Sequence, residues 1–488
     1  MNSGWLAALL VAAVAVGGIV LRIAALGFIP RNRKPTTGMA WLLVILFDPW
    51  IGFFFFLFFG SARVGSKRRA KQTEINALIT ERTASVADRE VAASPLVTTF
   101  LHLNRELGAL PPAKAATVEL FPDYVSSIAA MTAAIGTAQT RVHVEFYISD
   151  LDDTTRELFE ALADASKRGV KVRFLFDHLG SRKLPGHQAM LEHCDANGIE
   201  WHRMMPVRPF HGEWRRPDLR NHRKILVVDD QVAFSGSQNL VEASYGNPKY
   251  QEMGRKWVDL MARVTGESVA ALDAVFAGDW YTESGELLDV KRGAPTGPVA
   301  PAAITDVTCQ VVPSGPGFPS ENNLRLFISL LHSATRRISI TSPYFIPDES
   351  LLYAVTTAAQ RGIDVELFVN EQSDQFMVGH AQASYYDALL AAGVKILMSP
   401  PPLILHGKHF TIDDTVAVIG TSNMDLRSFA LNYEVIMMFL GPEAVAELRK
   451  VEDAYRSLCR PLTQEEWSLR PQRTRYVDTV MRLTAGLQ

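Results

Sequence analysis

The pattern of hydrophobic and polar positions divides the 488-residue chain into an apolar amino-terminal part and a longer part of alternating composition. One apolar run covers residues 5–29 and is interrupted by Arg22, and a second covers residues 39–59. A helix of about 20 apolar residues crosses the hydrocarbon core of a bilayer. Residues 1–60 are therefore predicted to form a membrane anchor of two transmembrane helices.

The pair Asp48-Pro49 inside the second run leaves an alternative open. A carboxylate and a helix breaker need protein or water partners within a membrane, so the pair would also suit a re-entrant turn. Basic residues follow the second run more densely than they occupy the loop between the runs, which favours cytoplasmic placement of the rest of the chain. A cleaved signal peptide is disfavoured because no basic residue precedes the first run.

Beyond the anchor, β-rich runs alternate with helical stretches, which is the pattern of an α/β fold. The order strand, helix, Arg-Gly turn, strand occurs twice, at residues 142–176 and 338–369. This duplication predicts two similar lobes, each a β-sheet flanked by helices, with a shared active site at their interface. The predicted parts after the anchor are a basic helical connector (61–115), the first lobe (116–292), a Gly- and Pro-rich linker (293–304), the second lobe (305–462) and an amphipathic tail (463–488).

A short motif, H-x-K-x4-D, occurs once in each predicted lobe. Each residue of the second copy lies 184 positions after its counterpart in the first. A Gly-Ser/Thr-x-Asn element follows both copies in the same register. The predicted catalytic residues are His222, Lys224 and Asp229 with His406, Lys408 and Asp413, and the predicted substrate-binding residues are Ser237, Asn239, Thr421 and Asn423.

The chemistry of this set suits a phosphoryl group. Side chains two positions apart in a strand share a face, so each histidine and its lysine point the same way. One imidazole can attack phosphorus while the other protonates the leaving oxygen. The lysines and asparagines would neutralise charge on the non-bridging oxygens, so that no metal or other cofactor is required. A zinc site is disfavoured because the histidines lie in no H-E-x-x-H motif.

Net charge and cysteine content argue against further classes of protein. The net charge of −3 gives no positive field for nucleic acid. The three cysteines lie far apart and without C-x-x-C spacing, which excludes a disulfide scaffold and fits a reducing compartment.

The paired motif resembles that of the phospholipase D superfamily, and its context is similar to bacterial cardiolipin synthases of the phospholipase D type. Beyond the motifs and the two apolar segments, the resemblance rests on Met39-Ala-Trp-Leu-Leu43, Trp257-Val-Asp-Leu-Met261, Ser314-Gly-Pro-Gly-Phe-Pro319, Ser342-Pro-Tyr-Phe-Ile-Pro347 and Asn423-Met-Asp-Leu-Arg-Ser-Phe-Ala-Leu-Asn-Tyr-Glu434. It implies conversion of two phosphatidylglycerol molecules to cardiolipin and glycerol through a phosphatidyl-histidine intermediate, with phosphatidylglycerol and other membrane phospholipids as partners.

The resemblance also implies roles for individual residues. His222 is expected to be the nucleophile and His406 the acid and base, while Asp229 and Asp413 would orient or tune the imidazoles. Glu434 is expected to line or support the substrate site, with a buried structural role as the alternative. The rival functions are a phospholipase D hydrolase that uses water as acceptor and a catalytically silent membrane scaffold.

Overall fold

The computed structural model describes residues 3–31, 35–60, 65–83, 95–211, 213–290, 304–318 and 321–485. The chain divides into two compact units, Met1–Arg63 and Val64–Gln488. The predicted linker lies outside the described residues, except for Ile304.

The first unit contains three helices, α1 (Ser3–Phe28), α2 (Pro35–Phe47) and α3 (Pro49–Phe59). Among the described residues, one helix is long and apolar enough to cross a membrane, and it covers residues 4–28 of α1.

The run 39–59, predicted to be one transmembrane helix, instead forms parts of the two short helices α2 and α3. The chain breaks at Asp48, whose carboxylate accepts hydrogen bonds from the backbone N–H groups of Trp50 (3.0 Å) and Ile51 (2.9 Å). Asp48 thus caps α3, and Pro49 suits the first helical position because it has no N–H to satisfy. This agrees with the alternative that placed a turn at Asp48-Pro49.

The second unit is a mixed α/β structure. In chain order its elements are α4 (Ser66–Thr83), α5 (Pro95–Gly108), β1 (Ala113–Phe121), α6 (Tyr124–Gly136), β2 (Arg141–Phe146), α7 (Arg156–Lys167), β3 (Lys171–Asp177), α8 (His178–Ser181), α9 (His187–Ala196), β4 (Glu200–Met204), β5 (Val207–Arg208), a 3-10 turn (Pro209–His211), β6 (Glu213–Trp214), β7 (Arg220–Asn221), β8 (Lys224–Val228), β9 (Val232–Gly236), α10 (Pro248–Glu252), β10 (Lys256–Val258), β11 (Met261–Gly266) and α11 (Ser268–Ser284). It continues with β12 (Ile304–Ser314), α12 (Asn322–Ser333), β13 (Arg337–Thr341), β14 (Phe345–Ile346), α13 (Glu349–Gln360), β15 (Asp364–Asn370), α14 (Phe376–Ala383), α15 (Tyr386–Ala391), β16 (Lys395–Ser399), β17 (Leu403–Leu405), β18 (His409–Ile412), β19 (Val416–Gly420), β20 (Met424–Asp425), α16 (Leu426–Ala430), β21 (Asn432–Leu440), α17 (Pro442–Leu458), β22 (Arg460–Leu462), α18 (Gln464–Ser468) and α19 (Gln472–Arg482).

The main sheet has the same strand order in both lobes. In the first lobe the order is β1-β11-β9-β8-β2-β3-β4, and in the second it is β12-β21-β19-β18-β13-β15-β16. The lobes join where β1 pairs antiparallel with β12. Three strands of each lobe, β2-β3-β4 and β13-β15-β16, pair in parallel and are connected by helices, which agrees with the predicted α/β class. The predicted duplication is therefore present in the fold.

The repeated Arg-Gly turn has a physical cause. Gly169 and Gly362 have φ values of 87° and 85°, a left-handed conformation that favours glycine. The neighbouring arginines make equivalent contacts: Arg168 donates to the carbonyl oxygen of Ala138 and Arg361 to that of Ala334. Each arginine thus links the end of its helix, α7 or α13, to the loop before the neighbouring strand, β2 or β13.

The flanking segments pack against the lobes. In the connector, the buried Arg68 of α4 forms an ion pair with Glu283 of α11. In the tail, Trp467 packs against Tyr386, with ring centroids 5.0 Å apart. The tail therefore packs on the second lobe.

Candidate active site

The motif histidines are held by backbone contacts that cross between the lobes. The N–H of His222, in the first lobe, donates to the carbonyl oxygen of Tyr433 in the second (2.8 Å). The N–H of His406, in the second lobe, donates to the carbonyl oxygen of Val258 in the first (2.7 Å). The short parallel pairs β7–β21 and β10–β17 carry these contacts. The two halves therefore build one site, as the paired motif predicted.

Each imidazole is also oriented by a carboxylate from the opposite lobe. The Nδ1 atom of His222 lies 3.0 Å from Oε2 of Glu434, and Nδ1 of His406 lies 2.7 Å from Oδ1 of Asp259. The carbonyl oxygen of Thr421 also accepts from Nδ1 of His222 (3.0 Å). These acceptors assign the proton to Nδ1 in both rings, which leaves both Nε2 atoms available for chemistry.

The two predicted hydroxyls hold these carboxylates in place. Ser237 Oγ donates to Oδ1 of Asp259 (2.7 Å), and Thr421 Oγ1 donates to Oε2 of Glu434 (2.5 Å). Both were predicted to bind substrate, but their hydroxyl protons are used within the protein. Their role in this geometry is to orient the carboxylates that orient the imidazoles.

The lysines are buried beside the histidines. Nζ of Lys224 donates to the carbonyl oxygen of His222, and Nζ of Lys408 donates to that of His406, both at 2.6 Å. Burial, together with the charge of Lys408, lowers the pKa of Lys224 well below its usual value. Burial also lowers the pKa of Lys408 to about 8.

Burial and neighbouring positive charges also lower the pKa values of the two histidines. The pKa of His222 lies well below its usual value because of burial and then the charges of Lys224 and Lys408. Burial and Lys408 also lower the pKa of His406, although Asp259 partly counteracts them. Four basic groups thus share a buried site in which the two lysines disfavour charge on the histidines, and a bound anion would relieve that repulsion.

The two orienting carboxylates are not equivalent. Burial raises the pKa of Glu434 to about 7, although Lys224 acts against the shift. Burial acts in the same direction on Asp259, but His406, Lys408 and Ser237 outweigh it, so that the pKa of Asp259 is lowered. Asp259 is therefore the more firmly ionised partner, and His406 is the imidazole better able to hold a second proton.

The predicted asparagines occupy equivalent positions with different contacts. Asn239 donates through Nδ2 to the hydroxyl of Tyr245 (2.8 Å), and its Oδ1 accepts from the N–H of Ile148 (3.2 Å). The Oδ1 atom of Asn423 is buried and has no hydrogen-bond partner among the residues that the structure describes. Asn423 thus has an amide oxygen available for a ligand or water, whereas the amide of Asn239 is already engaged.

The two predicted aspartates do not reach the histidines. Asp229 accepts hydrogen bonds from the N–H groups of Gln139, Thr140 and Arg141, at the start of β2. At about 3.3 Å per residue, the strand β8 places Asp229 some 17 Å from Lys224. The expectation that it orients an imidazole is therefore wrong, and it instead ties the hairpin turn to the neighbouring strand.

Asp413 repeats this arrangement in the second lobe. Its carboxylate accepts from the N–H groups of Thr335, Arg336 and Arg337, at the start of β13. Hydrogen bonds of this kind lower the pKa of both aspartates against the opposing effect of burial. The constant spacing of the aspartate in the motif thus reflects a structural role.

Asp259 was missed as a site residue, although its segment was part of the resemblance. Its position is equivalent to that of Glu434, since Gly236 pairs with Met261 as Gly420 pairs with Ile436. The sequence signal is a carboxylate two positions before Met261 and before Ile436. The constant spacing of 184 does not reveal it, because Asp259 follows Ser237 by 22 residues, whereas Glu434 follows Thr421 by 13.

No group of three or more His, Cys, Asp or Glu side chains placed to hold a metal ion occurs within the described part of the chain.

A duplicated α/β fold in which each half contributes a histidine and a lysine to one site defines the phospholipase D class of proteins. Comparisons with known proteins agree. The family described as "Cardiolipin synthase, PLD-like domain" matches residues 131–280 and 327–454, and "Phospholipase_D-nuclease N-terminal" matches residues 20–61.

The chain belongs to the cardiolipin synthase family of phospholipase D-like proteins. It is 33% identical over 472 residues to cardiolipin synthase A of Yersinia pseudotuberculosis and of Yersinia pestis, an alignment that covers 93% of this chain and 93% of each relative. Among solved structures it is similar to the phosphatidylserine synthase of Haemophilus influenzae Rd KW20, with a TM-score of 0.59 and 14% identity over 79% of this chain and 99% of that chain. At this identity the structural similarity supports the fold.

Proposed function

We propose that the protein is a phosphatidyltransferase that forms cardiolipin and glycerol from two phosphatidylglycerol molecules. The observation that carries the proposal is the buried set of two histidines and two lysines, in which burial and neighbouring positive charges lower the pKa values of His222, Lys224 and His406. A lipid phosphodiester supplies an anion for this site, and the similarity to cardiolipin synthase A over almost the whole chain supports the choice of lipid.

The first half of the reaction releases glycerol. Nε2 of His222 attacks phosphorus, a P–N bond forms, and the bond from phosphorus to the headgroup oxygen breaks. The protonated Nε2 of His406 donates its proton to that oxygen, so that glycerol leaves as an alcohol. The assignment of His222 as nucleophile is supported by its lower tendency to hold a second proton.

The second half transfers the phosphatidyl group. His406, now neutral, removes the proton from a hydroxyl of the second phosphatidylglycerol. The resulting oxygen attacks phosphorus, the P–N bond to His222 breaks, and cardiolipin leaves. One phosphodiester replaces another, so that no nucleotide is needed to drive the exchange.

The buried cations stabilise the transition state in both halves. The ammonium groups of Lys224 and Lys408 would face the non-bridging oxygens, where negative charge grows as phosphorus becomes five-coordinate. The N–H groups of the Asn423 side-chain amide would donate hydrogen bonds in the same place. These interactions are stronger in a dry site than in water because the local dielectric constant is low.

The overall function is tested by incubating the purified protein with phosphatidylglycerol and separating the lipid products. Cardiolipin and glycerol in equal amounts are expected. Phosphatidic acid without cardiolipin would establish the hydrolase instead, and no turnover would favour the scaffold.

The order of the histidines is tested with a phosphodiester that carries a nitrophenyl group. This leaving group departs without acid catalysis, so His406→Ala should release one equivalent of nitrophenolate and retain the phosphoryl group on His222. His222→Ala should release none. Mass spectrometry that located the covalent group on His406 in the His222→Ala protein would reverse the assignment.

We further propose that the protein is embedded in the cell membrane with its lobes on the cytoplasmic side. The length and apolar character of residues 4–28 support one crossing. The predicted multi-pass arrangement needs another crossing, but α2 and α3, with 13 and 11 residues, are each too short to span about 30 Å of hydrocarbon.

A further inference from the structure

We propose that α2 and α3 form a re-entrant hairpin that enters the bilayer beside α1, turns near its middle and leaves on the side where it entered. The amino-terminal end of α1 and the carboxyl-terminal end of α3 would then lie on opposite sides of the membrane. The proposal concerns the amino-terminal unit alone and does not depend on the reaction that the lobes catalyse.

The two short helices fold back on each other. A Cβ atom on Gly52 of α3 would lie 2.7 Å from the backbone of Ile45 in α2, which shows how closely the helices approach. Further from the turn, the rings of Trp41 and Phe56 lie 5.5 Å apart. Residues close to Asp48 therefore meet each other, and so do residues far from it, as an antiparallel hairpin requires.

The hairpin runs along the carboxyl-terminal half of α1. At its tip, Trp50 lies against Gly17, where an added Cβ would be 3.0 Å from the indole ring. At its base, the ring of Phe56 lies 6.4 Å from that of Phe28. The stretch of α1 between Gly17 and Phe28 is about 16 Å long at 1.5 Å per residue, roughly half of the hydrocarbon core.

The polar groups at the tip are satisfied within the protein. Asp48 accepts from the first N–H groups of α3, while Arg22 of α1 donates through Nε to the carbonyl oxygen of Leu46 near the end of α2 (3.0 Å). Inside a bilayer, unpaired backbone groups cost several kcal/mol, so a break at mid-depth persists only with such partners. This contact also accounts for an arginine within the first apolar run.

The hairpin changes the charge argument for orientation. With two crossings, the basic residues of the loop Arg31–Lys34 would face those of the segment Arg63–Lys71 across the membrane. With a re-entrant hairpin, both groups would lie on one side of the membrane. The positive-inside rule then favours the cytoplasm for both ends of the hairpin.

The test uses single cysteines in the full-length protein, labelled in intact cells with a membrane-impermeant thiol reagent. Cys194 and Cys309 are buried, and Cys459→Ser would remove the third native thiol. Asn2→Cys, Asn32→Cys and Ser61→Cys then report the side of each flank. Labelling after permeabilisation serves as the control for reactivity at each position.

The re-entrant hairpin predicts labelling from outside at position 2 and protection at positions 32 and 61. Two crossings would instead expose position 32 alone, and a hairpin lying on the surface with no crossing would protect all three positions. Either of these patterns would overturn the proposal. Cardiolipin formation, measured separately in the same variants, shows that each is folded, and its absence in the parent protein would count against the proposed reaction only.

Discussion

At the scale of single residues, the orientation of the two imidazoles depends on carboxylates from the opposite lobes. Asp259 and Glu434 accept hydrogen bonds from Nδ1–H of His406 and His222, and each accepts another from a hydroxyl. An imidazole that reacts through Nε2 must carry its proton on Nδ1, so these carboxylates set the reactive tautomer.

Asp259→Asn should reduce kcat by about 10²–10⁴-fold, because an amide no longer selects the Nδ1–H tautomer or stabilises the imidazolium form of His406. Turnover of phosphatidylglycerol by the purified variant measures this. Asp229→Asn is the matched control. It should reduce the free energy of unfolding by about 1–3 kcal/mol through a weakened hydrogen bond to Gln139 and leave kcat nearly unchanged. Equal losses of kcat in the two variants would contradict the assigned roles.

The pH dependence of kcat/KM should show a basic limb near the pKa of Lys408, which burial lowers to about 8. Lys408 is charged below that pH and loses its charge as the pH rises through it, which weakens phosphodiester binding by the free enzyme. The check is a kcat/KM profile from pH 6 to 10. In Lys408→Arg the charge persists, so the limb should move to higher pH, and a limb that stayed in place would exclude Lys408 as its source.

At the scale of elements, a few residues decide how the second apolar run folds. The run is apolar enough to predict a spanning helix, but Asp48 and Pro49 favour a helix start at that point. Because Gly52 has no side chain, α3 can approach α2 closely.

Gly52→Leu should therefore separate the two helices and lower the thermal stability of the protein in detergent, because the new side chain would overlap the backbone of Ile45. Gly27→Leu is the control. Nothing lies within 4 Å of a Cβ atom at Gly27, although it is also an apolar-helix position. Melting curves of the two variants and the parent should show a loss for Gly52→Leu alone, and the same loss in both would argue against the tight packing of the hairpin.

At the scale of the whole second unit, neither lobe contains a complete site. Each histidine takes its orienting carboxylate and a backbone acceptor from the other lobe, and a core shared by both lobes includes Val264, Leu272, Val435 and Leu448. The antiparallel pair β1–β12 adds hydrogen bonds between the lobes. The catalytic unit is therefore the pair of lobes.

The separate lobes should accordingly be inactive, while a chain cleaved once in the linker 293–304 should keep its activity. Cleavage at an inserted protease site leaves the core and the β1–β12 pair intact, so the fragments should elute together in size-exclusion chromatography and form cardiolipin at a rate close to that of the uncleaved protein. Activity in a single isolated lobe would contradict the shared site.

By itself, the sequence determined the α/β class, the duplication and the histidine and lysine pairs. These features are local or repeat at constant spacing: Gly169 and Gly362 end helices in the same way, and two-residue spacing in a strand places His222 and Lys224 on one face. The apolar runs likewise indicated membrane attachment, because composition over about 20 residues is sufficient for that.

Only the tertiary structure decided which carboxylate serves which histidine. Asp229 stands at a constant distance from its histidine along the chain, yet an extended strand carries it away from the site, while Asp259 and Glu434 arrive from the opposite lobe. The sequence of the second apolar run is compatible with a spanning helix or with a turn at Asp48, and the packing of α3 on α2 decides between them. Spacing along a chain predicts contacts within one strand or helix, whereas contacts between lobes or helices depend on loop lengths and on how apolar surfaces meet, and no single stretch of sequence records these.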